Sequence, residues 1–105
     1  MTQNEKIKLI VKALDSKKAD GIQAIKISDL TILADYFIIA GGTSNTHTKT
    51  LAEEVEYQLS QNGIEPYKTE GYNGSGWIIL DYSDVVVHVF YKEMRDYYQL
   101  ERLWA

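Results

Sequence analysis

Residues 76–90, GWIILDYSDVVVHVF, leave a chain of this kind little freedom in how it folds. Two aliphatic runs flank Ser83-Asp84, and only Asp81, the Tyr82 hydroxyl, Ser83, Asp84 and His88 clearly want water. If Ser83-Asp84 forms a two-residue turn, Tyr82 lies opposite Val85 and the two runs pair as an antiparallel hairpin. Directly opposed residues share a face and successive ones alternate. One face then collects Ile78, Leu80, Tyr82, Val85, Val87, Val89 and Tyr91, an almost pure core surface. The other collects Trp77, Ile79, Asp81, Val86, His88 and Phe90. A slip of one residue would exchange the two faces.

The second face is apolar in area but carries a carboxylate and an imidazole. An ionised Asp buried without a partner costs several kcal/mol or more. That face is therefore either partly exposed or capped by something that supplies donors. An apolar patch with charges at its edge has the anatomy of a protein docking site, where Trp and Tyr often dominate the energetics. The local alternative is that Asp81 and Asp84 shape the turn and His88 is satisfied within the chain. Both readings stand on the sequence.

The rest of the chain supplies partners for the hairpin. Residues 4–18 place Ile7, Ile10, Val11 and Leu14 at helical spacing, with Asn4 as N-cap and Gly21 beyond the end. GIQAIKI alternates as a strand, and ADYFIIAGG has the short apolar run of a central one. TSNTHTKTLAEEVEYQLSQNG predicts a long helix capped by Ser44 and stopped by Gly63, with Leu51, Val55 and Leu59 inward. Glu53, Glu54 and Glu56 fall on its wet side. IEPYKTEGY predicts an edge strand, because Pro66 cannot donate to an interior ladder. A last helix is expected over KEMRDYYQLERLW. The order α-β-β-α-β-β-β-α predicts an α/β (α+β) fold: a mixed β-sheet of about five strands flanked by helices. No repeat or linker interrupts residues 1–105, which read as one domain.

Composition narrows the function. The chain has no cysteine, so it offers no disulfide and no thiolate chemistry. A net charge of −4 argues against direct nucleic-acid binding, which needs a basic stripe, and suits a basic protein partner. The opening MTQNEKIKLIVKAL lacks the unbroken apolar run of a signal peptide, and no segment approaches a bilayer span. A cytoplasmic protein without membrane attachment is expected.

Catalytic chemistry finds thin support. A metal site needs three or four converging ligands, and the only histidines are His47 and His88. Ser44 is explained by helix capping. The more serious enzyme reading is AGGTSN, a strand ending before a helix like the phosphate-gripping turn of nucleotidyltransferases. A small nucleotidyltransferase-like enzyme binding a nucleotide at Gly41 to Ser44 is thus the alternative function. That chemistry also needs two alternating acids on a following strand to hold Mg²⁺. Here the corresponding window is helical, and Asp81 and Asp84 flank a turn. No cofactor and no catalytic residue is expected.

SDLTILADYFIIAGGTSN, THTKTLAEEVEYQL, EGYNGSGWIILDYSDVVVHVF and the ending YYQLERLW together resemble the ribosomal silencing factor family, also called the Iojap family. The matching stretches run in order from about residue 7 to 104. The resemblance implies a nucleotidyltransferase-like topology without the catalytic acids. It also implies a translational repressor that binds the free large ribosomal subunit through its ribosomal protein fourteen, at the intersubunit face. Bound there, such a protein blocks subunit joining when nutrients are scarce; organellar relatives are tied to large-subunit assembly, and members self-associate as dimers. On this resemblance the docking face for a basic ribosomal protein comprises Glu70, Tyr72, Trp77, Asp81, Tyr82, Asp84 and His88. Tyr98, Leu100, Glu101 and Trp104 would flank or brace it. Asp35 and Tyr36 are assigned to structure, Thr43 and Ser44 to capping, and His47 receives no role.

Overall fold

The computed structural model describes residues 1–32, 34–74 and 76–91. Two helices and five strands follow in the order α1 (Gln3–Ser16), β1 (Asp20–Lys26), β2 (Tyr36–Gly42), α2 (Asn45–Ser60), β3 (Lys68–Glu70), β4 (Trp77–Asp81) and β5 (Val85–Tyr91). The expected mixed sheet is present, with strand order β1-β2-β5-β4-β3. Only β2 and β5 run parallel; the other three pairings are antiparallel. The predicted C-terminal helix lies outside the described residues.

Caps explain where the helices begin. α1 starts two residues earlier than expected, because Thr2 and not Asn4 is the N-cap. The Thr2 hydroxyl accepts the Glu5 N–H at 3.1 Å while the Glu5 carboxylate accepts the Thr2 N–H at 3.0 Å, a closed capping box. The helix stops at Lys17, and Gly21 falls inside β1 instead of terminating α1. Ser44 caps α2 as expected, its hydroxyl accepting the His47 N–H at 3.0 Å.

Both helices pack on one face of the sheet. Ile10, Ala13 and Leu14 of α1 and Leu51, Ala52, Val55 and Leu59 of α2 join Ile38, Ala40, Ile78, Leu80, Tyr82, Val85, Val87 and Val89 in one buried cluster. The wet face assigned to α2 is only partly wet. Glu53 is exposed, but Glu54 accepts from Gln58 at 2.6 Å and Glu56 accepts from the Tyr72 hydroxyl. Among the described residues no helix is long and apolar enough to cross a membrane.

The glycine pair ending β2 has a packing reason. A Cβ on Gly42 would stand 2.3 Å from the Thr48 Oγ1 and 2.7 Å from its backbone nitrogen. Only glycine lets the first turn of α2 lie that close to the strand. His47, unassigned by sequence, ties the same corner together. Its Nδ1 accepts the Thr43 N–H at 2.9 Å, which leaves Nε2 to donate to the Lys17 carbonyl 2.7 Å away. Gly42→Ala is expected to lose about 1–3 kcal/mol of stability in urea unfolding, since the backbone of Thr48 as well as its hydroxyl blocks the added methyl.

Candidate functional site

The hairpin turn decides which side chains share a surface. Tyr82 N–H donates to Val85 O at 2.9 Å, so Tyr82 and Val85 are opposed as the sequence predicts. The Asp81 Oδ1 accepts the Ser83 N–H at 2.8 Å, and Ser83 adopts φ 77°. A positive φ is uncommon for serine, so the Asp81 carboxylate helps hold a strained turn. Asp84 serves a different end. Lys6 Nζ donates to its Oδ1 at 2.7 Å, and Gln3 Nε2 bridges Asp35 at 2.7 Å and Asp84 at 3.2 Å. Burial pushes the Asp84 carboxyl up, but the hydrogen bonds from Lys6 and Gln3 outweigh it and hold the carboxyl below its usual range.

Across the sheet, register lines up three rows on the face opposite the helices. The first runs Ile25, Phe37, Val86, Asp81, Lys68; the second Gln23, Ile39, His88, Ile79, Glu70; the third Gly41, Phe90, Trp77. Of the candidate residues, Glu70, Trp77, Asp81 and His88 therefore share one surface. Ile25, Phe37, Trp77, Ile79, Asp81 and Val86 are half-buried, while Glu70 and Lys68 at the edge are exposed and paired at 2.8 Å.

His88 sits beneath this surface. It is 6% exposed, with ring centroids 4.5 Å from Phe37 and 5.9 Å from Trp77. The Trp77 indole N–H donates to its Nδ1 at 3.1 Å, which places the remaining proton on Nε2; that atom has no hydrogen-bond partner among the described residues. Burial lowers its pKa to about 4, so the ring is neutral near pH 7. His88 orients Trp77 from beneath the surface.

Tyr72 and Tyr82 require correction as surface candidates. Both lie on the helix side: Tyr82 is 4% exposed within the core cluster, and Tyr72 packs against that cluster and donates to Glu56. Burial, with the nearby Glu56, raises both phenols above their usual range. Tyr82 follows the hairpin alternation. Tyr72 does not follow β3, because Gly71 at φ 91° breaks the count, and a Cβ there would meet the Trp77 carbonyl at 1.9 Å. Asp84 sits at the sheet end as a strut to α1. Tyr98, Leu100, Glu101 and Trp104 lie outside the described residues.

Some amides of the turn suspected of gripping phosphate are occupied by its own chain. The Thr43 N–H goes to His47 Nδ1, the His47 N–H to Ser44 Oγ, and the Thr48 N–H to Ser44 O. A cavity of about 310 Å³ opens nearby, lined by Asn45, Thr46, Lys49, Tyr72 and Asn73 among others, with no carboxylate in its described wall. Among the described residues no group of three or more His, Asp or Glu side chains converges on a metal position.

Residues 1–105 match the family described as ribosomal silencing factor during starvation. The chain is 40% identical over 105 residues to a Bacillus subtilis protein named ribosomal silencing factor RsfS, covering all of this chain and 89% of that one. It is 31% identical over 102 residues to a mouse protein named mitochondrial assembly of ribosomal large subunit protein 1, covering 94% of this chain and 45% of the relative. A crystal structure of a Chromobacterium violaceum protein superposes with a TM-score of 0.95 at 38% identity, covering 99% of this chain and 87% of that one. One from Bacillus halodurans gives 0.87 at 38% identity, covering 97% and 95%.

The buried imidazole predicts a pH dependence. Its folded pKa, about 4, lies below the ordinary 6.5, so the unfolded chain binds the proton first as pH falls. Its contribution is complete above pH 6.5 and declines towards pH 4, by up to roughly 3 kcal/mol. His88→Asn keeps an acceptor for Trp77 and cannot charge. Urea unfolding across pH 4–6.5 is expected to show a shallower loss for that variant than for the wild type.

Proposed function

We propose, since the chain belongs to the ribosomal silencing factor family, that it is a non-catalytic binding protein. It docks on the large ribosomal subunit, through that subunit's ribosomal protein fourteen at the intersubunit face, and keeps the small subunit from joining. Translation falls as a result when nutrients are scarce. The cytoplasm is its place of action.

The observation that carries this reading is the row structure of the sheet face opposite the described helices, where Ile39, His88 and Phe90 are buried and a rim of half-buried side chains surrounds them. Phe37, Trp77, Ile79 and Val86 lie together, with Asp81 and Glu70 beside them and both described helices on the other side. An apolar centre with an acidic margin fits a basic protein surface in both shape and charge. Blocking a joining reaction needs occupancy and bulk, not bond-making, so no acid or base has to be poised. The Thr43 and His47 amides, bonded within the chain, and the lack of a carboxylate in the described wall of the cavity beside them support the same reading over nucleotide transfer.

Asp81 has two duties on this reading, and substitution can separate them. Asp81→Asn keeps the turn acceptor and removes the charge; Glu70→Lys reverses a charge at an exposed edge. The double variant is expected to bind isolated large subunits at least tenfold more weakly in sucrose-gradient co-sedimentation. Its circular dichroism should be unchanged, and it should no longer inhibit joining of separated subunits. Wild-type binding by the folded double variant would remove this margin from the interface.

A further inference from the structure

The face described above ends at an edge of the sheet that holds the largest exposed aliphatic groups among the described residues. Ile32 is 101% exposed and Leu30 59%, two residues apart in the connection between β1 and β2. Scattered exposed leucines need no explanation, but two adjacent aliphatics on an ordered turn form a patch. The turn is built. Ile27, fully buried, accepts the N–H groups of Leu30 at 2.8 Å and Thr31 at 3.0 Å, and donates its own to Asp35 O at 2.8 Å. Ala34, 6% exposed, anchors the other side. Thr31 is half-buried, while Leu30 and Ile32 are turned to solvent.

This tip is continuous with the docking face. Asp35 and Tyr36 both donate backbone N–H groups to Asp84 O, at 2.8 and 3.1 Å, which clamps the connection to the β4–β5 turn. The parallel pairing of β2 with β5 puts both chain segments at the same sheet end. Gln3 bridges Asp35 and Asp84 there, and Asp81 ends β4 at the same turn, with Lys6 paired to Asp84 and with Lys26 and Lys68 at the flanks. Tyr67, 85% exposed, stands at the far side, its N–H bonded to Asp81 O at 2.7 Å.

We infer that Leu30 and Ile32 are apolar anchors of the docking surface, seating in a recess of a basic protein partner while the surrounding aspartates meet its cations. The inference rests on the docking function proposed above and names a second contact of the same surface. Burial of exposed apolar groups favours a complex directly. The aspartates around them disfavour nucleic acid as the occupant, because phosphates and carboxylates repel.

Leu30→Ser/Ile32→Ser tests the anchors, since neither side chain supports the core. Binding to isolated large subunits should fall at least tenfold with melting temperature unchanged. Wild-type affinity in that variant overturns the inference and leaves the docking function intact. Failure of the wild type itself to bind overturns both. Loss of self-association alone, seen by sedimentation velocity, assigns the tip to a second copy and overturns the inference. Because the chain contains no cysteine, Ile32→Cys supplies a unique thiol for a photo-crosslinker. Its crosslinks on large subunits should fall on protein; crosslinks to RNA alone would overturn the inference.

Discussion

A single carboxylate holds the register on which every face assignment depends. The Asp81 side chain accepts the Ser83 N–H at 2.8 Å and so stabilises a turn whose second residue sits at φ 77°. With that turn in place, Tyr82 opposes Val85 and the aliphatic set of both strands faces the helices. Moved by one residue, the same hairpin would drive Trp77, Asp81 and His88 into the core and expose Leu80 and Val87. Asp81 is therefore a structural residue that also places its charge at the rim of the face opposite the described helices. The two duties are compatible because a carboxylate has more than one acceptor lone pair.

The parallel β2–β5 pairing converts this local choice into a surface. It aligns Phe37 with Val86 and Ile39 with His88, extending the hairpin's outward rows towards β1. It also brings the connection before β2 against the β4–β5 turn, where Gln3 and Lys6 of α1 lock Asp35 and Asp84 in place. His88 works from below: neutral, buried and accepting from Trp77, it fixes the largest aromatic of the face. The imidazole that the resemblance assigned to the docking face is a support for its neighbour.

The sequence made some of this legible and hid the rest for definable reasons. The hairpin faces could be read because two strongly apolar runs alternate with period two around an obvious turn. Leu51, Val55 and Leu59 could be read because they recur every four residues. The start of α1 was misplaced because apolar spacing begins at Ile7, while Thr2 and Glu5 set the cap. Tyr72, grouped with the docking residues by resemblance, turns to the helix side because the backbone at Gly71 departs from strand geometry. Tyr82 was grouped with the docking residues by resemblance although its own alternation places it inward. The exposure of Leu30 and Ile32 was not legible at all, since apolar identity argues for burial and only the anchoring of Ile27 and Ala34 denies it. Tyr98, Leu100 and Glu101 fall outside the described residues.

Hydroxyl-radical footprinting of the chain, free and bound to isolated large subunits, distinguishes the open face from the cavity beside α2 at side-chain resolution. Docking through the sheet predicts strong protection of Trp77, Phe37 and Ile32 on binding, with Tyr57 on α2 and Tyr72 in the cavity wall reacting as before. Protection of Tyr72 with Trp77 unchanged would contradict it, because the working surface would then be the corner between β2 and α2.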